Sequence, residues 1–384
     1  MYKIIPKDSK KTNQFKDLIE LISFIGSKKI LILTGKKSFK KSASEKFIRG
    51  QLSFYSGEHT YYSDFQANPK LEDLNKAIEV LKPFEFDLII ACGGGSVIDF
   101  AKLLKIYVNK KELIENFPEN YSVPNKTNVS LIAIPTTAGT GSEATHFAVL
   151  YKDNIKYSVA SDAMLPEYSI LNSSICVNAA FKIKASCIID AFSQAIESYW
   201  SVNATEKSRE YASQAIMIIN RNILSYRQNH SKVEVTEEIL RAAHLSGKAI
   251  NISKTTAPHA LSYSITSIFK IPHGHAVGMM LGEFFVINEL ETEGKKLNCK
   301  SLKKHLNNMR NLRKMLGWGD PINCRDNWQK IMRYLDLDLQ LNYKNKNKVI
   351  KQLVSAVNSE RLSNNPVALS DRDLIEIYKK LFIG

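Results

Sequence analysis

Asp190, Gln194, His259 and His273 combine a carboxylate, an amide and two imidazoles at spacings that suit one divalent-metal site. Asp190 and Gln194 lie four residues apart in KASCIIDAFSQAIESYW (184–200). The periodicity of that run predicts a helix, so both side chains project from one face. The imidazoles fall in PHALSYSITSIFKIPHGH (258–275): His259 follows Pro258 near a helix start, and His273 follows Pro272 where the next helix begins. A divalent cation held there with one open position would act as a Lewis acid on a substrate oxygen.

A second set of residues suits a phosphate-bearing cofactor. Gly93-Gly94-Gly95-Ser96 stands between an apolar run and a helical one, with Asp99 a turn later. Glycines let the backbone approach a pyrophosphate, whose charge the free N–H groups of a helix start favour. The pattern is not GxGxxG, which disfavours the standard dinucleotide fingerprint. In PTTAGTGSE (135–143), Thr136, Thr137, Thr140 and Ser142 crowd hydroxyls into a strand-terminal loop, as around a phosphate, a ribose or a nicotinamide amide. A plain polar turn reads the same residues. The run Thr34-Gly35-Lys36-Lys37-Ser38 has no carboxylate where dinucleotide folds often place one, so Gly35 and Ser38 would admit NADPH as well as NADH. A solvated lysine pair is the alternative there.

These groups need a scaffold. KILILTG (29–35), FDLIIACGGG (86–95) and VSLIAIPTT (129–137) read as buried strands, the first two followed by helices. Strand, glycine turn and helix in repeated order predict an α/β domain over 1–175 with a mostly parallel, doubly wound sheet. From 176 to 384 strand signals fade and helical spacing takes over at 182–200, 206–227, 236–251, 258–269 and 274–289, predicting an all-helical second domain. The cleft between domains is the expected ligand site. NYKNKNK (342–348) reads as an exposed loop.

Composition narrows the class. With 44% hydrophobic and 24% charged residues the chain reads as a globular protein, without an apolar run long enough to span a bilayer or a signal-like start; the expected compartment is the cytoplasm. The formal charge of +15 is spread over faces and loops without basic-aromatic interleaving, so nucleic acid is not the expected partner. Cys92, Cys176, Cys187, Cys299 and Cys324 form no CxxC pair and read as reduced thiols. His59, His146, His230, His244 and His305 fit no ligand spacing, although His146 lies close to the PTTAGTGSEAT loop; Trp200, Trp318 and Trp328 read as packing residues and the Tyr61–Tyr62 pair as surface or core filler.

Taken together, GGGSVIDFAK (93–102), IPTTAGTGSEAT (134–145), DAFSQAIESYWS (190–201) and HALSYSITSIFKIPHGHA (259–276) resemble the iron-containing (group III) alcohol dehydrogenases, in that family's order and across essentially the whole chain. The resemblance implies a dehydroquinate synthase-like fold: an N-terminal nicotinamide-cofactor domain and a C-terminal helical metal domain, usually in dimers or larger assemblies. It implies Asp190, Gln194, His259 and His273 as ligands of one Fe(2+) or Zn(2+). Gln194 departs from the histidine most members carry, and an amide oxygen is a weaker donor than imidazole. Tyr263, a candidate substrate contact, stands where many relatives have another histidine. DAFSQAIESYWS, SKTTAPHALSY and IPHGHA look most like the branch of phosphonoacetaldehyde reductases, which reduce that aldehyde to 2-hydroxyethylphosphonate with NADPH or NADH.

A phosphonate would need an anion pocket. Lys254, Thr255 and Thr256, just before the helix of His259, could supply it, or could simply cap that helix. His275, two beyond a ligand, is a candidate proton relay, with a structural role as the alternative. A broader alcohol dehydrogenase for small alkanols, diols or sugar-derived alcohols shares the metal chemistry. A degenerate site marked by Gln194 would bind cofactor without turnover.

Overall fold

The structure is a computed structural model describing residues 2–7, 15–40, 43–109, 114, 117–118, 123–124, 126–153, 155–343, 345–357 and 359–382. The chain forms two compact units, Met1–Asn178 and Ala179–Gly384.

The first unit contains strands β1 (Lys3–Pro6), β2 (Lys29–Thr34), β3 (Glu58–Tyr62), β4 (Leu88–Gly93), β5 (Ser130–Pro135), β6 (Phe147–Lys152), β7 (Ile155–Ala160) and β8 (Tyr168–Leu171). Its helices are α1 (Leu18–Ile25), α2 (Lys36–Lys40), α3 (Ala43–Leu52), α4 (Leu71–Leu81), α5 (Gly95–Tyr107) and α6 (Ser173–Cys176). Six strands form one sheet in the order β1-β8-β5-β4-β2-β3, parallel except where β1 meets β8; β6 and β7 form a separate hairpin. Residues Ile30–Leu33 and Leu88–Ala91 are fully buried, which explains the unbroken apolar runs: both sheet faces are covered. Sheet growth reverses between β2 and β4, and the C-terminal ends of these strands flank that switch point, where open α/β sheets bind ligands.

The three strands read from the sequence correspond to β2, β4 and β5. The sequence reading missed β3, whose Glu58 and His59 are exposed at the sheet edge. Tyr61 and Tyr62 belong to that strand, and Tyr62 and Phe65 both stack with Phe100 under it. The polar edge hides the alternation that would mark a strand.

The second unit is built of α7 (Phe181–Trp200), α8 (Glu206–Ile223), α9 (Tyr226–Asn229), α10 (Val233–Ser253), α11 (Ala257–Phe269), α12 (His273–Glu289), α13 (Leu302–Leu316), α14 (Pro321–Tyr334), α15 (Lys346–Ser355), α16 (Ser359–Ser363) and α17 (Asp371–Lys379). Helix α7 is buried almost all round, with α8, α10 and α12 packed on it. That environment suits its apolar character and makes any charge on it conspicuous. The loop expected over 342–348 enters α15 at Lys346, and Lys344 lies outside the described residues. Among the described residues no helix is long and apolar enough to cross a membrane.

Candidate metal centre

Three helices of the second unit bring the candidate ligands together. Asp190 sits mid-way along α7; His259 is the third residue of α11 and His273 the first of α12. One ligand atom from each lies within 4.8 Å of the other two. Packing enforces this approach. A Cβ on Gly274 would lie 2.0 Å from the Ser186 carbonyl oxygen and 2.7 Å from Asp190 Cβ, so a side chain there would drive the start of α12 off α7 and take His273 with it. The His275 N–H donates to Ser186 Oγ at 3.1 Å and fastens the same junction.

The electrostatics are those of a cation site. Asp190 Oδ1 and His259 Nε2 lie 3.4 Å apart, and neither buried atom has a hydrogen-bond partner. Gln194 is buried one turn along α7 from Asp190; its Oε1 accepts no hydrogen bond, although the residue has other interactions. Burial works against a charged His259 imidazole, but the Glu197 and Asp190 carboxylates overcome this and raise its pKa to about 9. The pocket therefore attracts positive charge. A buried carboxylate oxygen and imidazole nitrogen, with the half-buried His273 imidazole beside them, are donors that fit a divalent transition metal.

Glu197 is the residue the sequence reading missed. It is fully buried on α7, seven residues after Asp190. Its Oε2 pairs closely with His259 Nδ1. Its Oε1 accepts from Thr256 N (2.9 Å), Thr256 Oγ1 (3.0 Å) and His259 N (3.3 Å). One carboxylate thus caps the first turn of α11 and holds the imidazole. The sequence signal was an acidic residue at 190+7 within an apolar helix.

The other expected residues of this unit divide. Thr256 needs correction as an anion contact: its N–H and hydroxyl donate to Glu197, and the hydroxyl accepts from Trp200 Nε1 at 3.0 Å, leaving no donor to spare. Thr255 is buried beside it and Lys254 is half-buried. Tyr263 stacks on His273 with ring centroids 5.9 Å apart. The His275 ring is engaged at Nε2 by the Asp338 carbonyl (2.6 Å), and burial pushes its pKa down. That hydrogen bond makes His275 a brace and takes up one ring nitrogen a relay would use.

In the first unit, β4 and β5 are in register from Leu88–Ser130 to Gly93–Pro135, so Gly93–Ser96 and Thr136–Ser142 emerge side by side. Gly94 caps α5, and Gly95 and Ser96 are its first residues. A Cβ on Gly94 would meet only the Thr137 side chain at 3.6 Å, leaving the turn open to a ligand, whereas Gly93 and Gly95 are crowded by Val97 and Thr140. Thr136 donates its N–H to the Gly93 carbonyl (3.0 Å), joining the two loops. Ser96 Oγ accepts from Asn68 N, and Gly35 leads into α2; the Ser38 side chain lies outside what is described. Lys36 pairs with Asp64.

Asp99 and Ser142, expected to meet cofactor, are hydrogen-bonded to each other. Ser142 Oγ donates to Asp99 Oδ1, Asp99 Oδ2 accepts from Val149 N (3.1 Å), and fully buried Lys102 donates to Ser142 Oγ, Thr145 Oγ1 and the Phe147 carbonyl at 2.8–3.0 Å. Their side chains brace the loop from beneath, and burial lowers the Lys102 pKa to about 8 against the opposing pull of Asp99.

Comparison with known proteins bears on the family. The chain is 29% identical over 266 residues to a long-chain-alcohol dehydrogenase of Geobacillus thermodenitrificans, covering 69% of this chain and 67% of that one. It is 30% identical over 224 residues to a phosphonoacetaldehyde reductase of Streptomyces viridochromogenes, covering 56% of each. The crystal structure of sulfoacetaldehyde reductase from Bifidobacterium kashiwanohense in complex with NAD+ superposes with a TM-score of 0.82 at 25% identity, covering 95% of this chain and 93% of that one. Residues 10–173 match the description "Iron-containing alcohol dehydrogenase" and residues 184–382 "Fe-containing alcohol dehydrogenase family, C-terminal". The chain therefore belongs to the iron-containing alcohol dehydrogenase family and is an oxidoreductase.

Proposed function

We propose that this chain is a metal- and NAD(P)H-dependent reductase that converts phosphonoacetaldehyde to 2-hydroxyethylphosphonate. The observation that carries the metal chemistry is the meeting of buried Asp190 and His259 with half-buried His273, with Asp190 Oδ1 and His259 Nε2 left unmet by protein. These three would hold the ion, with Gln194 as a weaker fourth donor. A divalent cation supplies Lewis-acid polarisation of the aldehyde oxygen when bound, worth several kcal/mol. The reduced nicotinamide supplies the hydride. Asp190 contributes negative charge, the histidines contribute neutral nitrogens, and Tyr263 covers one face of His273.

Two relatives support the substrate: the phosphonoacetaldehyde and sulfoacetaldehyde reductases are both named for a two-carbon aldehyde with an anionic tail. Two cations on the second unit suit such a tail. Lys254 is held at φ 60°, ψ 174°, a backbone region almost reserved for glycine. Asn364 Nδ2 donates to the carbonyls on either side of it, Ser253 (2.8 Å) and Thr255 (2.9 Å). Arg361, only 5% exposed, lies on α16, which packs against α11. Burial raises the Tyr263 phenol pKa, and the Arg361 charge opposes that rise. Gly35, in place of a carboxylate, supports use of NADPH beside NADH.

The 29% likeness to a long-chain-alcohol dehydrogenase favours a broader alcohol dehydrogenase as the second reading. Values of kcat/KM for phosphonoacetaldehyde and propionaldehyde, each with NADPH and NADH, separate the two. The proposal expects at least a roughly tenfold preference for the phosphonate, the equivalent of about 1.4 kcal/mol, with NADPH accepted. Equal values for both aldehydes would favour the broader enzyme, and a strong NADH preference would remove the inference from Gly35.

A further inference from the structure

Glu197 sits where two demands for an acceptor meet. One oxygen faces the Thr256 and His259 backbone N–H groups at the start of α11, and the other faces His259 Nδ1. Backbone N–H groups can only donate, so the first oxygen must accept. Thr256 does not cap this helix with its own side chain, and Pro258 has no N–H to satisfy, so α11 depends on Glu197 for its cap. If the second oxygen also accepts, the imidazole carries its proton at Nδ1. Nε2 is then the nitrogen that gives up its proton to an incoming cation, and its lone pair faces Asp190.

We propose that Glu197 is the positioning residue of the metal centre: an acceptor on both sides, it fixes His259 as the Nδ1–H tautomer and leaves Nε2 as the only ring nitrogen able to bind the cation. This rests on the metal-site reading above and adds to it a residue outside the ligand set. The geometry makes glutamine a discriminating replacement. Its shape is nearly that of glutamate, but one end donates. With its oxygen toward the α11 N–H groups, the amide NH2 faces His259 Nδ1, favours the Nε2–H tautomer and blocks the ligand atom. With the amide reversed, the NH2 confronts two backbone N–H donors and the cap is lost. Neither orientation meets both demands.

The test is zinc binding to metal-stripped full-length protein, measured by competition with a chromophoric chelator, for wild type, Glu197→Gln and Thr256→Ala. Thr256→Ala deletes one donor to the same carboxylate and leaves both of its acceptor sides intact. We expect Glu197→Gln to weaken zinc by about 10- to 100-fold, and Thr256→Ala to stay within about threefold of wild type while losing some thermal stability. Equal zinc affinity in wild type and a folded Glu197→Gln overturns the assignment of Glu197. Absence of zinc binding by wild type overturns the metal-site reading itself. Should Glu197→Gln not fold, two-bond 15N–1H NMR of zinc-loaded wild type decides: a protonated Nδ1 with a zinc-shifted Nε2 on His259 supports the proposal, and the reverse pattern refutes it.

Discussion

Each unit of this chain buries a cluster of charged and polar side chains, and the two clusters are completed in different ways. Around Lys102 the protein finishes its own network: the ammonium has three oxygen acceptors, and Asp99 has donors on both carboxylate oxygens. Around His259 only one half is finished. Glu197 is fully engaged, while Asp190 Oδ1 and His259 Nε2 face each other with no hydrogen bond. An unmet buried acceptor costs about 1–3 kcal/mol, so a fold keeps such a pair where something from outside completes it. The Lys102 network braces a loop, and the His259 cluster is the one we propose holds a cation.

The largest effect that would sharpen this contrast is catalytic. Asp190→Ala or His273→Ala is expected to lower kcat/KM by about a thousandfold or more, the equivalent of losing about 4 kcal/mol of Lewis-acid assistance. Denaturant unfolding of the metal-free proteins should show little loss of stability. Large destabilisation with residual full activity would reverse the roles assigned to the two clusters. Lys102→Met should do the opposite, costing about 3 kcal/mol in unfolding free energy by leaving three oxygen acceptors without their shared donor, with metal content per chain unchanged.

A pH effect follows from the same lysine. The folded chain releases the Lys102 proton near pH 8, the unfolded chain near 10.5, so between these values the unfolded state holds more protons and stability rises with pH. Wild type should gain roughly 1–2 kcal/mol relative to Lys102→Met between pH 8 and 9.5. A flat difference would show that burial does not perturb this ammonium. The smallest effect concerns Lys254. Replacement by glycine relieves the positive-φ backbone and should add about 1 kcal/mol of stability. It should also raise KM for phosphonoacetaldehyde by about tenfold, a 1.4 kcal/mol loss, with little change for propionaldehyde. Equal KM changes for both aldehydes would remove Lys254 from the anion pocket.

The sequence made the scaffold and the donors legible to different depths. Strands buried on both faces, such as Ile30–Leu33, announce themselves as apolar runs, whereas edge strand β3 does not. Asp190, His259 and His273 could be picked out because a carboxylate on an apolar helix and two imidazoles at helix starts are residue types that ligate a divalent metal. Glu197 could not, since a glutamate in a helix ordinarily faces water, and only the packing around α7 shows that this one is enclosed. Asp99 and Ser142 show the opposite difficulty: a hydroxyl and a carboxylate near a glycine turn look alike in sequence whether they face a cofactor or each other. Arg361 is about a hundred residues from Tyr263 along the chain, so their proximity comes from the packing of α16 on α11 and leaves no local pattern.

Equilibrium dialysis of metal-stripped protein against Fe(2+) or Zn(2+), with bound metal counted by mass spectrometry, tests the central claim most directly. One ion per chain in wild type, lost in Asp190→Ala and in His273→Ala but retained in Lys102→Met, is the expected result. Metal retained by both ligand variants, or none bound by wild type, would contradict it.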